Sequence, residues 1–259
     1  MFANQRQEKI YELIKEKGNV KVEELVNSFN VSIETIRRDL ILLEGQRNIK
    51  RVHGGAISIS SARRQSRLAE RIDENRQKKR EISLVACELL QEGDLISIES
   101  GSTSLEFIEL IKKKFNRLTI LTNSLDIAER TRDKEGFNIF LTGGKYLKDE
   151  NALYGDMAIK NIEQFCIPKA FIFPAGLTFE KGMSDYNYEF AQLQKAYIRV
   201  SEKKIIMVDS SKIGVDAFIR VSDIDSDFTI VTDAEADKEI LDKFQEQGIN
   251  VLTGVEREN

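Results

Sequence analysis

The chain has 259 residues, of which 32% are charged and 41% hydrophobic, and its formal net charge is −4. This length is typical of about two domains, and this composition is that of an ordinary soluble globular protein. No apolar run approaches the roughly 20 residues that a membrane helix needs. The first ten residues lack a hydrophobic signal core, so we expect a cytoplasmic protein. Cys87 and Cys166 lie far apart without CxxC spacing, which favours reduced thiols in that compartment.

The net charge hides an asymmetry between the two ends of the chain. Residues 1–80 contain 18 Lys and Arg against 11 Asp and Glu, whereas residues 81–259 contain 21 against 32. A basic head on an acidic body is what an anionic polymer that binds the head alone would require. Charge by itself does not say which polymer.

Apolar spacing predicts three short helices near the N-terminus. The first spans residues 4–17 and turns Ile10, Leu13 and Ile14 inward. The second is shorter and carries an apolar face, made of Val22, Leu25, Val26 and Phe29.

The third helix is predicted to begin just after Ser32, whose hydroxyl is placed to cap it. Its apolar stripe recurs every three or four residues, at Ile33, Ile36, Leu40 and Leu43. Residues 30–32 alone separate it from the second helix. This is the geometry of a helix-turn-helix, whose second helix enters the major groove of DNA. Taken alone, such a hairpin is about as often a plain packing unit.

A basic hairpin is predicted directly after the third helix. RNIKRVHGGA, Arg47 to Ala56, alternates apolar with basic residues and ends in two glycines, which is typical of a wing. From VSIETIRRDL to KRVHGGA the sequence closely resembles the amino-terminal winged helix of the DeoR family of bacterial transcriptional regulators. The family's usual Gly-Leu step before the wing reads Arg47-Asn48 here. The resemblance, with the outward face of the helix, implies DNA contacts by Ser32, Glu34, Thr35, Arg37, Arg38, Lys50, Arg51 and His53.

We therefore expect a DNA-binding domain at residues 1–57, a linker at 58–67 and a larger domain at 68–259. The linker is rich in Ser and Arg, and its arginines either contact DNA phosphates or belong to a solvated tether. A long helix is predicted from Leu68 to Leu90, with Arg71, Asn75 and Lys79 along one face.

Beyond Gly93, short apolar runs alternate with helical segments, which predicts a mostly parallel α/β sheet covered on both faces. The expected fold class is thus α/β, with a winged helix-turn-helix preceding the sheet domain. The predicted strands are Leu95–Ile98, Leu118–Leu121, Phe137–Leu141, Ala170–Phe173, Lys204–Val208, Phe228–Val231 and, more weakly, Asn250–Leu252.

Small, hydroxyl-bearing and glycine residues follow these strands, as ESGSTS, TNS, TGGK, PAG, DSSK and TD. Open α/β sheets bind ligands at this carboxyl edge. ESGSTS opens a helix, so Gly101 is expected to permit a tight turn. The N–H groups of Ser102, Thr103 and Ser104 would then point at an anion. One such loop is usually just a helix cap, but several on one edge favour a binding site.

The remainder of the chain, roughly Arg71 to Asp233, resembles the sugar-phosphate-sensing domain of the DeoR family, which is related to the ribose-5-phosphate isomerase and CoA-transferase type of fold. The resemblance implies a phosphorylated sugar as effector. Three departures from the family pattern stand out. Glu99 replaces the usual aspartate, Pro174 follows the fourth strand, and Phe190-Ala191…Gln194 stands where the family has Glu-Ala…Lys. The implied effector-binding residues are Glu99, Ser100, Gly101, Ser102, Thr103, Thr122, Asn123, Ser124, Gly143, Gly144 and Lys212.

Two alternatives compete with a regulator. A sugar-phosphate isomerase-like enzyme with a DNA-binding arm needs a positioned base, but FIFPAGLT, after the fourth strand, holds no acid. The single histidine, His53, lies in the wing, which excludes a His-based triad or a His-containing metal site in the larger domain. A domain that only oligomerises would need no polar loops. The acids and the lysine that remain available for catalysis are Glu99, Asp185, Glu189, Asp209 and Lys212.

We therefore predict a repressor of sugar-metabolism genes with no catalytic or metal-binding residues. No P-loop or GxGxxG follows a strand, so no nucleotide cofactor is expected. A single winged helix buries little DNA, so specific affinity usually comes from two heads on a symmetric site. We accordingly expect a homo-oligomer built through the larger domain.

Overall fold

The computed structural model describes residues 3–17, 19–46, 49–52, 54–58 and 67–254. The chain divides into two compact units, residues 1–66 with 216–218, and residues 67–215 with 219–259. Within the described ranges, no helix is long and apolar enough to cross a membrane. Most of the predicted linker lies outside these ranges, as does His53 of the predicted wing.

The first unit combines three helices with a three-stranded antiparallel sheet. Its elements are α1 (Ala3–Lys17), β1 (Asn19–Lys21), α2 (Val22–Phe29), α3 (Ile33–Gln46), β2 (Ile49–Val52) and β3 (Gly55–Ser58). Strand β3 lies between β1 and β2. The predicted helices and the wing hairpin are confirmed. Strand β1 is additional, because three residues between two helices are too few for an alternating pattern to show.

The helices of this unit enclose a small core. Ile10 and Ile14 of α1 are fully buried against Leu25 of α2 and the stripe of α3. Of the predicted stripe, Ile36, Leu40 and Leu43 are buried, but Ile33 is 42% exposed. The prediction for Ile33 is wrong because this residue begins α3, at an end that extends past the packed turns.

The second unit is built on a seven-stranded sheet in which every pair of neighbouring strands is parallel. In spatial order its strands are β15 (Asn250–Thr253), β14 (Phe228–Thr232), β12 (Ser201–Met207), β9 (Ile167–Ile172), β4 (Leu95–Ile98), β5 (Leu118–Thr122) and β6 (Phe137–Leu141). The predicted parallel sheet and all seven of its strands are confirmed, with shifts of a few residues at some strand ends.

Helices cover both faces of this sheet, because alternate side chains of each strand point to opposite faces. Phe171 of β9 and Ile205 of β12 join one core, whereas their neighbours Ile172 and Ile206 join another. The helices of this unit are α4 (Leu68–Ile72), α5 (Arg76–Cys87), α6 (Ser102–Lys114), α7 (Leu125–Arg130), α8 (Asp156–Ile162), α9 (Tyr188–Val200) and α10 (Lys238–Glu246).

The predicted helix from Leu68 to Leu90 is wrong, because the chain breaks it into α4 and α5. Asn75 adopts a left-handed conformation (φ 51°, ψ 32°) that no α-helix continues through. Asn tolerates this conformation better than most residues, so the amphipathic pattern continues across a break that it does not reveal.

Two small antiparallel sheets supplement the main sheet and have no counterpart in the sequence prediction. One pairs β7 (Lys145–Leu147) with β8 (Ala152–Tyr154). The other has the order β10 (Gly176–Thr178), β11 (Gly182–Asp185) and β13 (Ile219–Ser222). Both lie in the connections that leave the carboxyl edge of the sheet.

Candidate functional site

The outward face of α3 presents the predicted DNA-contacting residues. The Ser32 hydroxyl accepts a hydrogen bond from the Thr35 N–H at 3.3 Å, which confirms it as the helix cap. Glu34, Arg37 and Arg38 are exposed. Arg37 lies 3.7 Å from Glu34, so part of its charge is balanced within the helix.

The wing places its described arginine against the end of α3. The Arg51 Nε donates to Glu44 Oε2 at 2.7 Å, and its backbone N–H donates to Glu44 Oε1 at 2.8 Å. This pair fixes β2 to the helix, so Arg51 serves the fold of the wing as well as any DNA contact. The side chain of Lys50 and all of His53 lie outside the described residues.

A buried ion pair inside the first unit was not anticipated from the sequence. Arg6 of α1 donates through Nε to Asp39 of α3 at 2.6 Å, and Gln7 Nε2 donates to the other oxygen at 2.8 Å. Arg6 and Asp39 are 8% and 3% exposed. Asp39 lies three residues after the buried Ile36, so it falls on the core face of the helix. A charged residue on that face was the signal in the sequence that could have predicted a buried ion pair.

In the second unit, the strand order brings the predicted binding loops to one edge of the sheet. Strands β12, β9, β4, β5 and β6 are consecutive neighbours, and neighbouring strands are about 4.8 Å apart. The loops after these strands therefore lie side by side.

The loop after β4 leads directly into α6, whose first residue is Ser102. In the described structure no side chain caps this 13-residue helix. Ser102 and Thr103 are buried, and the Ser104 hydroxyl donates to the Gly101 carbonyl at 2.7 Å. The predicted tight turn at Gly101 is wrong, because φ is 168° and ψ is 164°, an extended conformation open to any residue.

The loop after β5 supports the loop after β4. Asn123 Oδ1 accepts from the Ser100 N–H at 2.9 Å, and its Nδ2 donates to the Ser100 hydroxyl at 3.1 Å. That hydroxyl also shares a 2.7 Å hydrogen bond with Tyr154. Thr122 and Ser124 are engaged locally, since Thr122 accepts from the Ser124 N–H and Ser124 caps α7. These buried residues therefore set the shape of the first loop.

The two glycines after β6 adopt backbone angles that favour glycine, and Gly144 also permits a close approach. Gly143 and Gly144 have φ of 69° and 114°. A Cβ on Gly144 would lie 2.5 Å from the Tyr154 carbonyl oxygen. This contact lets β8 pass beside the loop, so the predicted glycine pair has a structural reason.

Two buried carboxyl groups lie at the end of β4 and of β11, joined by one amide. Glu99 accepts from the Phe173 N–H and from Gln194 Nε2, both at 3.1 Å. The same Nε2 donates to Asp185 at 3.2 Å. Burial raises the pKa of Glu99 to about 8 and also raises the pKa of Asp185. Glu99 was predicted at the site, whereas the linking role of Gln194 was not.

Lys212, after β12, lies close enough to this acidic pair to interact with it electrostatically. Burial disfavours the charged form of Asp209, but the charge of Lys212 and hydrogen bonds from Ser211 outweigh it and lower the pKa of Asp209. The positive charge of Lys212 also favours the ionised forms of Glu99 and Asp185. The structure thus brings Lys212 and the loop after β4 to one place. No three His, Cys, Asp or Glu side chains of the described chain could hold a metal ion together.

Comparison with known families settles what kind of protein this is. The DeoR-like helix-turn-helix domain matches residues 6–62, and the DeoR C-terminal sensor domain matches residues 74–234, more than half of the chain. The chain belongs to the DeoR family of transcriptional regulators. It binds DNA through the helix-turn-helix, its sensor domain implies a small-molecule ligand, and it is not an enzyme.

Relatives match along almost the whole chain. The uncharacterised HTH-type regulator YulB of Bacillus subtilis (strain 168) is 31% identical over 97% of this chain and 96% of its own. The lactose phosphotransferase system repressor of Lactococcus lactis subsp. lactis is 29% identical over 95% and 97%. Among solved structures, ribose 5-phosphate isomerase A from Neisseria gonorrhoeae aligns with this chain at a TM-score of 0.39 and 18% identity. The alignment covers 52% of this chain and 52% of the isomerase chain. At that score the likeness carries no conclusion about ligand or activity.

Proposed function

We propose that this regulator is a repressor of sugar-metabolism genes, controlled by a phosphorylated sugar bound at the carboxyl edge of the seven-stranded sheet. The observation that carries the proposal is the start of α6, which has no side-chain cap in the described structure and lies on the same edge as Lys212. Residues Ser100 to Thr103 would hold the phosphate, and Lys212 would reach the same ligand.

Physical chemistry favours a phosphate at this place. The first N–H groups of a helix have no intrahelical acceptor, and the helix dipole adds a partial positive charge there. A phosphate dianion would accept hydrogen bonds from these groups and from the Lys212 ammonium. Such charge-assisted bonds are stronger than those of a neutral hydroxyl.

The acidic pair would contact the sugar rather than the phosphate. Glu99, whose pKa is raised to about 8, is mostly protonated at neutral pH and offers a phosphate no charge of opposite sign. The oxygens of Glu99 and Asp185 can instead accept hydrogen bonds from sugar hydroxyls, and the protonated Glu99 can also donate one. The name of the Lactococcus lactis relative supports a sugar connection, since that protein is a repressor of a lactose phosphotransferase system.

A thermal-shift screen tests the ligand class. Sugar phosphates and their unphosphorylated parents would be compared on the full chain, since a ligand that binds the native state raises its unfolding temperature. We expect stabilisation by one or more phosphates and none by the parent sugars. Lys212→Gln should abolish the shift, whereas Lys113→Gln, at the exposed far end of α6, should retain it. A parent sugar that stabilises as well as its phosphate would exclude this site.

Two DNA-binding domains can occupy one DNA site only if two chains assemble. We propose that this assembly is a homo-oligomer built through the second unit. Sedimentation of the full chain, alone and with operator DNA, measures it directly. A monomer under both conditions contradicts the proposal.

A further inference from the structure

The break between α4 and α5 is tied to two loops at the carboxyl edge of the sheet. This segment, residues 67–79, directly follows the stretch that connects the two units in sequence. It carries none of the proposed phosphate contacts. Its polar residues nevertheless reach loops on either side of the proposed site.

Asn75 makes the first connection. It is the N-cap residue of α5, yet its side chain does not cap that helix. Its Nδ2 instead donates to Asp209 Oδ1 and to the Ser211 hydroxyl, both at 3.3 Å. An Asn at an N-cap normally accepts a hydrogen bond from the backbone of its own helix. The Asn75 side chain instead binds a loop that is distant in sequence.

Lys78, in the first turn of α5, makes the second connection. Its Nζ donates to the Ser210 hydroxyl at 2.8 Å and lies 2.8 Å from Glu235. Together with Asn75, it contacts the three residues that precede Lys212. The segment therefore holds the loop that presents the proposed ligand lysine.

Arg71, near the end of α4, connects the segment to the opposite side of the site. Its guanidinium pairs with Glu150, and both side chains are largely buried. The residue after Glu150, Asn151, accepts through its carbonyl from the Leu125 N–H at 3.0 Å. Leu125 directly follows the loop after β5, whose Asn123 supports Ser100.

Lys79 closes the break between the two helices. It is 3% exposed, and its Nζ donates to the carbonyls of Arg71 and Ile72, the last residues of α4. These hydrogen bonds join the end of α4 to the first turns of α5.

We propose that residues 67–79 form the output element of the sensor, with Asn75 and Lys78 as the positioning residues that couple the Asp209–Lys212 loop to the chain entering the connection between the two units. The proposal rests on the proposed function for the identity of the ligand site, but not for the coupling itself. A ligand that draws Lys212 toward the start of α6 would shift these contacts. Only a ligand that binds two arrangements unequally changes their balance.

The first test needs no ligand and uses amide hydrogen exchange on the full chain. The variant Asn75→Gly/Lys78→Ala keeps the left-handed residue unstrained, because Gly adopts φ > 0 readily. We expect exchange to rise about threefold or more in residues 67–72 and in residues 210–212, whose amides have acceptors in the native structure. The control is Asn30→Gly, which makes the same change at another left-handed Asn in the first unit. Unchanged exchange in either segment would overturn the coupling.

The second test adds inorganic phosphate as the probe. In the parent we expect protection of residues 99–104 and 209–212, and with it protection of residues 67–72. In the double variant the protection of residues 99–104 should persist, while that of residues 67–72 disappears. A purely structural role would weaken both together and would contradict the proposal. If phosphate protects nothing in the parent, the proposed ligand site fails, and the first test still decides the coupling.

Discussion

Asp39 of α3 is held by Arg6 of α1 through a buried 2.6 Å ion pair, with Gln7 on its second oxygen. The orientation of α3 against α1 therefore depends on a charge inside the small core. Breaking one side of such a pair leaves an unpaired buried charge, which costs more than the intact pair contributes.

We predict that Asp39→Ala destabilises the first unit by about 3–5 kcal/mol, measured by chemical denaturation of the full chain. The paired replacement Arg6→Met/Asp39→Leu should recover most of this loss, because it leaves no uncompensated charge. Glu34→Ala, which removes the exposed pair with Arg37, is the control and should cost less than about 1 kcal/mol. A single variant as stable as the double one would contradict the account.

Arg38 is exposed on α3, away from the buried stripe. We predict that Arg38→Ala weakens binding to operator DNA by about 1–3 kcal/mol, because it removes a base or phosphate contact without touching the core. Titration against an operator selected from random DNA by the parent protein measures the loss. Lys9→Ala, on the exposed side of α1, is the control for a general loss of charge. Equal affinities of parent and Arg38→Ala would remove Arg38 from the interface.

Gly101 and Gly144 both lie in proposed effector loops but should respond oppositely to a methyl group. A Cβ on Gly101 would lie 3.6 Å from Phe173, an ordinary contact, and the backbone there is extended. A Cβ on Gly144 would lie 2.5 Å from a carbonyl oxygen at φ 114°. We predict a loss of more than about 2 kcal/mol for Gly144→Ala and less than about 1 kcal/mol for Gly101→Ala. Thermal unfolding of the two variants, measured side by side, gives the two losses of stability. Equal losses would contradict the predicted difference between the two glycines.

Glu99 should make the stability of the second unit depend on pH. Its pKa is raised from 4.5 to about 8, mainly by burial. Between these values the native state binds a proton that the unfolded state does not, so this contribution is lost as pH rises through the window. We predict that Glu99→Gln removes a pH-dependent contribution of a few kcal/mol between about pH 5 and 8.

Urea denaturation across that range measures the difference in slope between parent and variant. The new amide should be tolerated, because its oxygen can still accept from the Phe173 N–H or from Gln194 Nε2. Glu202→Gln, at an exposed position of β12, is the matched control. Identical slopes for the parent and Glu99→Gln would show that Glu99 ionises in the native state as it does in the unfolded chain.

Local periodicity was sufficient for the three N-terminal helices, the wing hairpin and the seven strands of the main sheet. The stripe through Ile36, Leu40 and Leu43 and the apolar runs of the sheet each arise from residues within one segment, where spacing alone determines which side chains share a face. The polar ends of the strands likewise predicted that binding loops meet at one edge, because parallel strands end together. The roles of individual site residues remain predictions.

Contacts between distant segments were decided by the tertiary structure alone. Asn123 supports Ser100 from 23 residues away, and Gln194 reaches Glu99 across 95. The left-handed Asn75 breaks a continuous helical pattern, while its side chain lies near Asp209, 134 residues further along the chain. Such partners meet only once the sheet is assembled. Periodicity reports which face a residue lies on, but not which distant group will lie opposite it.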